Sequence, residues 1–187
     1  MYDGPMLVLV QHLLAGGRYG RARTAELGRL LARYEAQPGR LFADPSARAL
    51  AERIAHLKRQ LSEALAGARA CATCAGGCVA PSGFFEGGRC CGTATLDVFT
   101  QPEVRAIKLA GVAPPSTPAE DGDERAGCLF RGERGCALGP ESRPARCLEY
   151  VCLELRVELE EDERADRINA LRRELSDTFA RFEALTR

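Results

Sequence analysis

Nine cysteines stand in the middle of this chain: Cys71, Cys74, Cys78, Cys90, Cys91, Cys128, Cys136, Cys147 and Cys152. Thiolates bind soft and borderline metals, zinc in tetrahedral sites and iron in iron–sulfur clusters. A C-x2-C spacing lets a tight turn aim two sulfurs at one ion, so Cys71 and Cys74 form a candidate pair. Cys78, beyond Gly76-Gly77, can add a third ligand. Cys90 and Cys91 are adjacent, and neighbouring side chains of an extended segment point apart, so the two are not expected to grip one ion. Cys147 and Cys152 would lie about 140° apart around a regular helix. Either Cys147 sits at a helix entrance, after Ser142-Arg143-Pro144, or the two serve separate centres. A helix start there favours a thiolate through its exposed N–H groups, and Arg143 and Arg146 act in the same sense.

The competing use of thiols is a disulfide framework. Nine is odd, so complete pairing leaves one thiol over. The segment MYDGPMLVLVQHLL has no positive n-region, and Gln11 and His12 break its apolar run. No run approaches the ~18 apolar residues of a membrane span. A cytoplasmic location is therefore expected, where thiols stay reduced and metal sites outnumber disulfides. The two histidines, His12 and His56, fall on predicted helices remote from the cysteines. An all-sulfur site follows, which suits structural zinc or an iron–sulfur cluster rather than catalytic zinc with an open position. The run Glu160-Glu161-Asp162-Glu163 reads as a solvated charge run rather than an acid–base pair.

Three segments resemble the YkgJ-like cysteine-cluster family, described as a zinc- or iron-chelating domain with a CxxCxxxCC signature. The first is Cys71-x2-Cys74-x3-Cys78 with the Cys90-Cys91 pair; the second is TLDVFTQPEVRAIKLAG, residues 95–111. The third is GCLFRGERGCAL followed by SRPARCLEYVC. There the family pattern of two spaced cysteines, Arg-Pro-x-x-Cys and a final cysteine falls on Cys128, Cys136, Arg143-Pro144, Cys147 and Cys152. The resemblance covers residues 71–153, under half of the chain. Val79 follows Cys78 where the signature has its second adjacent cysteine. Either Val79 has replaced that cysteine, or residues 75–89 are an insertion and Cys90-Cys91 is the pair. The insertion is preferred, because the matching segment follows Cys91 directly, and the spare thiol is then Cys78 or Cys90. The resemblance implies a metal-binding protein with a redox or metal-handling role. It also opens an alternative, an iron–sulfur enzyme like a related lysine methylase, although the chain has no GxGxxG, no P-loop and no CxxxCxxC. A third alternative is a zinc-stabilised interaction module.

The elements that must position these thiols are mostly helical. Residues 5–37 read as two helices, the first ending at Gly16-Gly17 and the second running from Thr24 to Gln37 before Pro38-Gly39. A third, expected over 46–70, has Asp44 as N-cap, Pro45 at its first position and a stripe of Leu50, Ile54, Leu57, Leu61 and Leu65. A fourth, over 164–186, carries Ile168, Leu171, Leu175, Phe179, Phe182 and Leu185 at the same period. Stripes this narrow bury against another helix, within the chain or in self-association or a partner protein. Between them, a short helix is expected at Gln101–Ala110, opened by a Thr100-x-x-Glu103 capping box and closed by Gly111. A polar Pro-rich loop follows at 113–127, then a hairpin in which Cys128-Leu-Phe and Cys136-Ala-Leu flank a charged turn. Region 71–152 holds too little apolar surface for its own ordering entropy, so metal is expected to hold it.

Charge excludes one class of partner. The 26 basic and 26 acidic residues cancel, and nothing supplies the basic footprint that nucleic acid demands. Apolar residues at 45% and charged residues at 28% belong to a folded chain. Only Lys58 and Lys108 among the basic residues are lysines, which reads as codon bias. The expected architecture is mostly α: two long helices packed together with N-terminal helices, and a loop-rich, metal-stabilised cysteine region containing a small β-hairpin. Its parts are an N-terminal helical region 1–70, a cysteine region 71–153 and a C-terminal helix in 154–187. The expected cofactor is an iron–sulfur cluster, favoured narrowly over zinc.

Overall fold

The structure, a computed structural model, describes residues 23–39, 43–68, 94–120, 127–132, 135–151, 153–160 and 162–187. Helix α1 covers 23–35. Helix α2 (Pro45–Ala64) starts as the sequence requires, with the Asp44 carboxylate accepting from the N–H of Ser46 at 2.8 Å and of Ala47 at 3.2 Å. It ends at Ala64 and not at 70, because a turn through Leu65 to Gly67, with Gly67 at φ +90, stops it. Helix α3 (Thr95–Val98) is one turn; α4 (Gln101–Leu109) follows at once, with Thr100 Oγ1 accepting from Glu103 N and Gly111 at φ +72 closing it. The first predicted helix, over 5–16, and the Cys71–Cys91 segment lie outside the described residues.

The hairpin is present but displaced. Strands β1 (Arg131–Gly132) and β2 (Gly135–Cys136) are antiparallel, pairing Arg131 with Cys136 and Gly132 with Gly135. Cys128-Leu129-Phe130 is therefore not a strand; it forms the turn leading into one, closed by Arg131 N donating to Cys128 O at 3.3 Å. After a 3-10 turn (Pro140–Ser142) come the short α5 (Ala145–Glu149), α6 (Leu153–Glu160) and the long α7 (Ala165–Leu185). The molecule is mostly helical, and among the described residues this hairpin is its only sheet.

Two apolar clusters organise these elements. In the first, Ile54, Leu57 and Leu61 of α2 meet Ile168, Leu175 and Phe182 of α7, joined by Ala106 and Leu109 of α4, Leu148 of α5, and Leu155 and Leu159 of α6. The two stripes thus pack against each other inside the chain, except for Leu185 at the end of the second, which is exposed. The second holds Leu30 of α1, Val98 of α3, Phe99 between α3 and α4, Val104 and Ile107 of α4, and Cys128, Leu129, Phe130 and Leu138. Phe99 and Phe130 meet edge to face at 5.6 Å. The region expected to hold too little apolar surface thus contributes to a shared apolar cluster. That cluster is built jointly with α1, and burying a side chain of this kind contributes about 1.5–3 kcal/mol.

The first part of the Pro-rich loop is pinned too. Tyr34 Oη donates to Val112 O at 2.8 Å, and Ala119 N donates to Leu129 O at 3.1 Å.

Candidate metal centre

Of the nine thiols, Cys128, Cys136 and Cys147 fall within the described residues; Cys71, Cys74, Cys78, Cys90, Cys91 and Cys152 lie outside them. The three described thiols border one apolar cluster: Cys128 is a buried member, and Cys136 and Cys147 pack against it. Each is placed by a different element. Cys128 opens the turn before β1, Cys136 ends β2 opposite Arg131, and Cys147 is the third residue of α5.

Cys147 therefore sits at a helix entrance, the first of the two arrangements the spacing allowed. Pro144 is the N-cap of α5, and Cys147 N donates to Pro144 O at 2.9 Å. The helix ends at Glu149, with Tyr150 extended at ψ 122, so no regular helix joins Cys147 to residue 152. The 140° argument does not apply to this backbone.

Arginines line the site through its carbonyl groups. Arg23 donates to Cys128 O at 3.4 Å; Arg143 donates to Leu138 O at 3.0 Å and Cys136 O at 3.5 Å. Arg143 thereby ties the segment after β2 to the start of α5, while Arg146 faces solvent. His56 lies on α2, whose buried face belongs to the first cluster.

A group with no local signature holds α5 from beneath. Lys58 and Glu103, 1% and 2% exposed, form a buried ion pair between α2 and α4. The second Glu103 carboxylate oxygen accepts from Ala145 N, at the first position of α5, at 2.9 Å. Thr100 caps α4 as the capping box anticipated, but the Glu103 carboxylate is engaged with Lys58 and Ala145. Around this pair the charges continue. Arg172 donates to Glu149 O at 2.8 Å, and burial first, then the Glu103 carboxylate, pushes the Glu149 carboxyl above its ordinary value, against the pull of Arg172 and Lys58.

The donor chemistry available here is sulfur at the edge of an apolar cluster, which suits zinc or iron–sulfur. Among the described residues no three His, Cys, Asp or Glu side chains are placed to hold a metal ion. Also among them, no helix is long and apolar enough to cross a membrane. Compared with models of known families, with curated proteins and with solved structures, the chain matches none of them.

Proposed function

We propose that this chain is a cysteine-cluster metal-binding protein holding an all-thiolate iron–sulfur cluster or zinc, with a redox or metal-handling role. The observation that supports the reading is that Cys128, Cys136 and Cys147, from a turn, a strand and a helix entrance, all border one apolar cluster, although the three are not by themselves placed to hold an ion. Three thiols are too few for a closed site, since structural zinc takes four ligands and cubane clusters four cysteines. The remaining sulfurs come from Cys71, Cys74, Cys78, Cys90, Cys91 and Cys152, as in the family pattern these positions resemble. Such a site joins early and late cysteines and closes the loop between them. Iron–sulfur remains narrowly preferred because no histidine joins the set. A cytosolic setting follows from the need to keep nine thiols reduced. The cancelling charge supports a metal rather than nucleic acid as the ligand.

Anaerobic purification with iron, zinc and acid-labile sulfide measured per chain tests the reading. Brown protein with stoichiometric iron and sulfide supports a cluster, and colourless protein with bound zinc supports zinc. A chain that stays metal-free after reconstitution with either would refute both. Serine at each of the nine positions then assigns the ligands. Loss of metal confined to Cys71, Cys74 and Cys78, with Cys147 and Cys152 silent, would overturn the joined arrangement.

A further inference from the structure

We propose that Glu103, held by Lys58, is the positioning residue that sets the Cys147 thiol for metal; this rests on the reading of Cys147 as a ligand. The pair spans 45 residues of sequence and links three elements. Lys58 comes from α2, Glu103 from the first turn of α4, and the second carboxylate oxygen takes the N–H of Ala145, two residues before Cys147. Stability alone does not account for such a group. Desolvating two charges costs about as much as their attraction returns, and apolar pairs of similar volume often serve as well or better. A carboxylate with one oxygen on an ammonium and the other on a backbone N–H instead fixes a direction, because both bonds constrain the same rigid plane. What that plane fixes is the entry to α5. Pro144 and Ala145 are buried beside it, Arg143 ties its other side to the carbonyls of Cys136 and Leu138, and Cys147 follows within one turn. Groups that support a ligand from behind in this way are a regular part of metal sites.

The test separates positioning from mere packing. Wild-type chain and the double variant Lys58→Met/Glu103→Leu are reduced, loaded with Zn2+ and challenged with a chromogenic chelator, and the melting midpoint is read on the same samples. The double variant is expected to keep a midpoint close to wild type, while its zinc affinity falls about 10–100-fold, the scale of losing such support. Leu175→Ala, in the seam of α2 and α7, serves as the control. Its midpoint should drop with zinc affinity unchanged. Unaltered affinity in the double variant, with zinc bound normally and lost on Cys147→Ser, overturns the proposal and leaves the site intact. A wild-type chain that takes up neither zinc nor iron with sulfide, or a Cys147→Ser chain that binds metal fully, overturns the reading of the site and the proposal with it. Should the double variant fail to fold, hydrogen exchange at the Ala145 amide of wild type decides. Protection there is expected to rise on zinc loading, and an unchanged rate would sink the proposal.

Discussion

At the scale of single residues, the two lysines separate composition from chemistry. Both lysines occupy positions where an ammonium on a slim stem is used. Lys58 is sealed against Glu103, while Lys108 lies 5.1 Å from the centre of the Tyr34 ring and donates to the carbonyls of Tyr34 and Glu35. Removing one partner of a buried pair strands the other. Lys58→Met alone should therefore cost about 3–5 kcal/mol in denaturant unfolding, and the added Glu103→Leu should recover most of it. Equal stabilities for the single and double variants would show that the two charges do not interact. Asp162 offers a pH test. The Arg164 guanidinium and backbone N–H hold its carboxyl down to about 2, below the ordinary 3.8. A depressed carboxyl stabilises the fold above its unfolded value and loses that contribution as pH falls. The melting midpoint of wild type should thus exceed that of Asp162→Asn at neutral pH, with the gap closing between 3.8 and about 2. A constant gap across that window would contradict the assignment.

The long elements were legible because their apolar stripes repeat over five or six turns. Leu57 and Leu175, named from the stripes alone, are each fully buried where α2 meets α7. Aspartate at either should cost roughly 3 kcal/mol or more, since an unpaired charge would enter the seam. An unchanged melting midpoint would mean that the seam opens freely. Shorter elements left no such trace. A one-turn helix such as α3 has no period to read, and the apolar residues of α6 were not separated from the charge run that follows. The expected end of α2 at 70 lies beyond the stripe, which stops at Leu65, and the positive-φ Gly67 ends the helix before it. At the site, the donor chemistry was legible in the cysteines themselves. The placing of Cys147 needed Glu103 and Lys58, whose meeting depends on how α2 crosses α4, and no local spacing records that.

For the molecule as a whole, α4 is the wall between two bodies. Its Ala106 and Leu109 belong to the bundle of α2 and α7, its Val104 and Ile107 to the cluster that Cys128, Cys136 and Cys147 border, and Glu103 sits with Lys58 on α2. The bundle is closed by its own long stripes and by Arg164, which reaches from the start of α7 to Ala66 O at 3.1 Å. Among the described residues the cysteine side is instead made of one-turn pieces, a hairpin of two-residue strands and α1. Elements of that kind open at the low end of the local stability range, whereas packed helices open near the global value. A ligand that binds only the folded site adds stability to the segments it joins. Metal should therefore act unevenly. Amide exchange in α2 and α7 should be nearly the same in metal-loaded and metal-free protein, while 127–132 and 135–149 exchange more slowly by a factor that grows with free metal concentration. Equal slowing in both bodies would mean that α4 transmits the binding energy across the whole chain and that the two clusters open as one unit. No slowing in either would count against a metal bound by the cysteines bordering the second cluster.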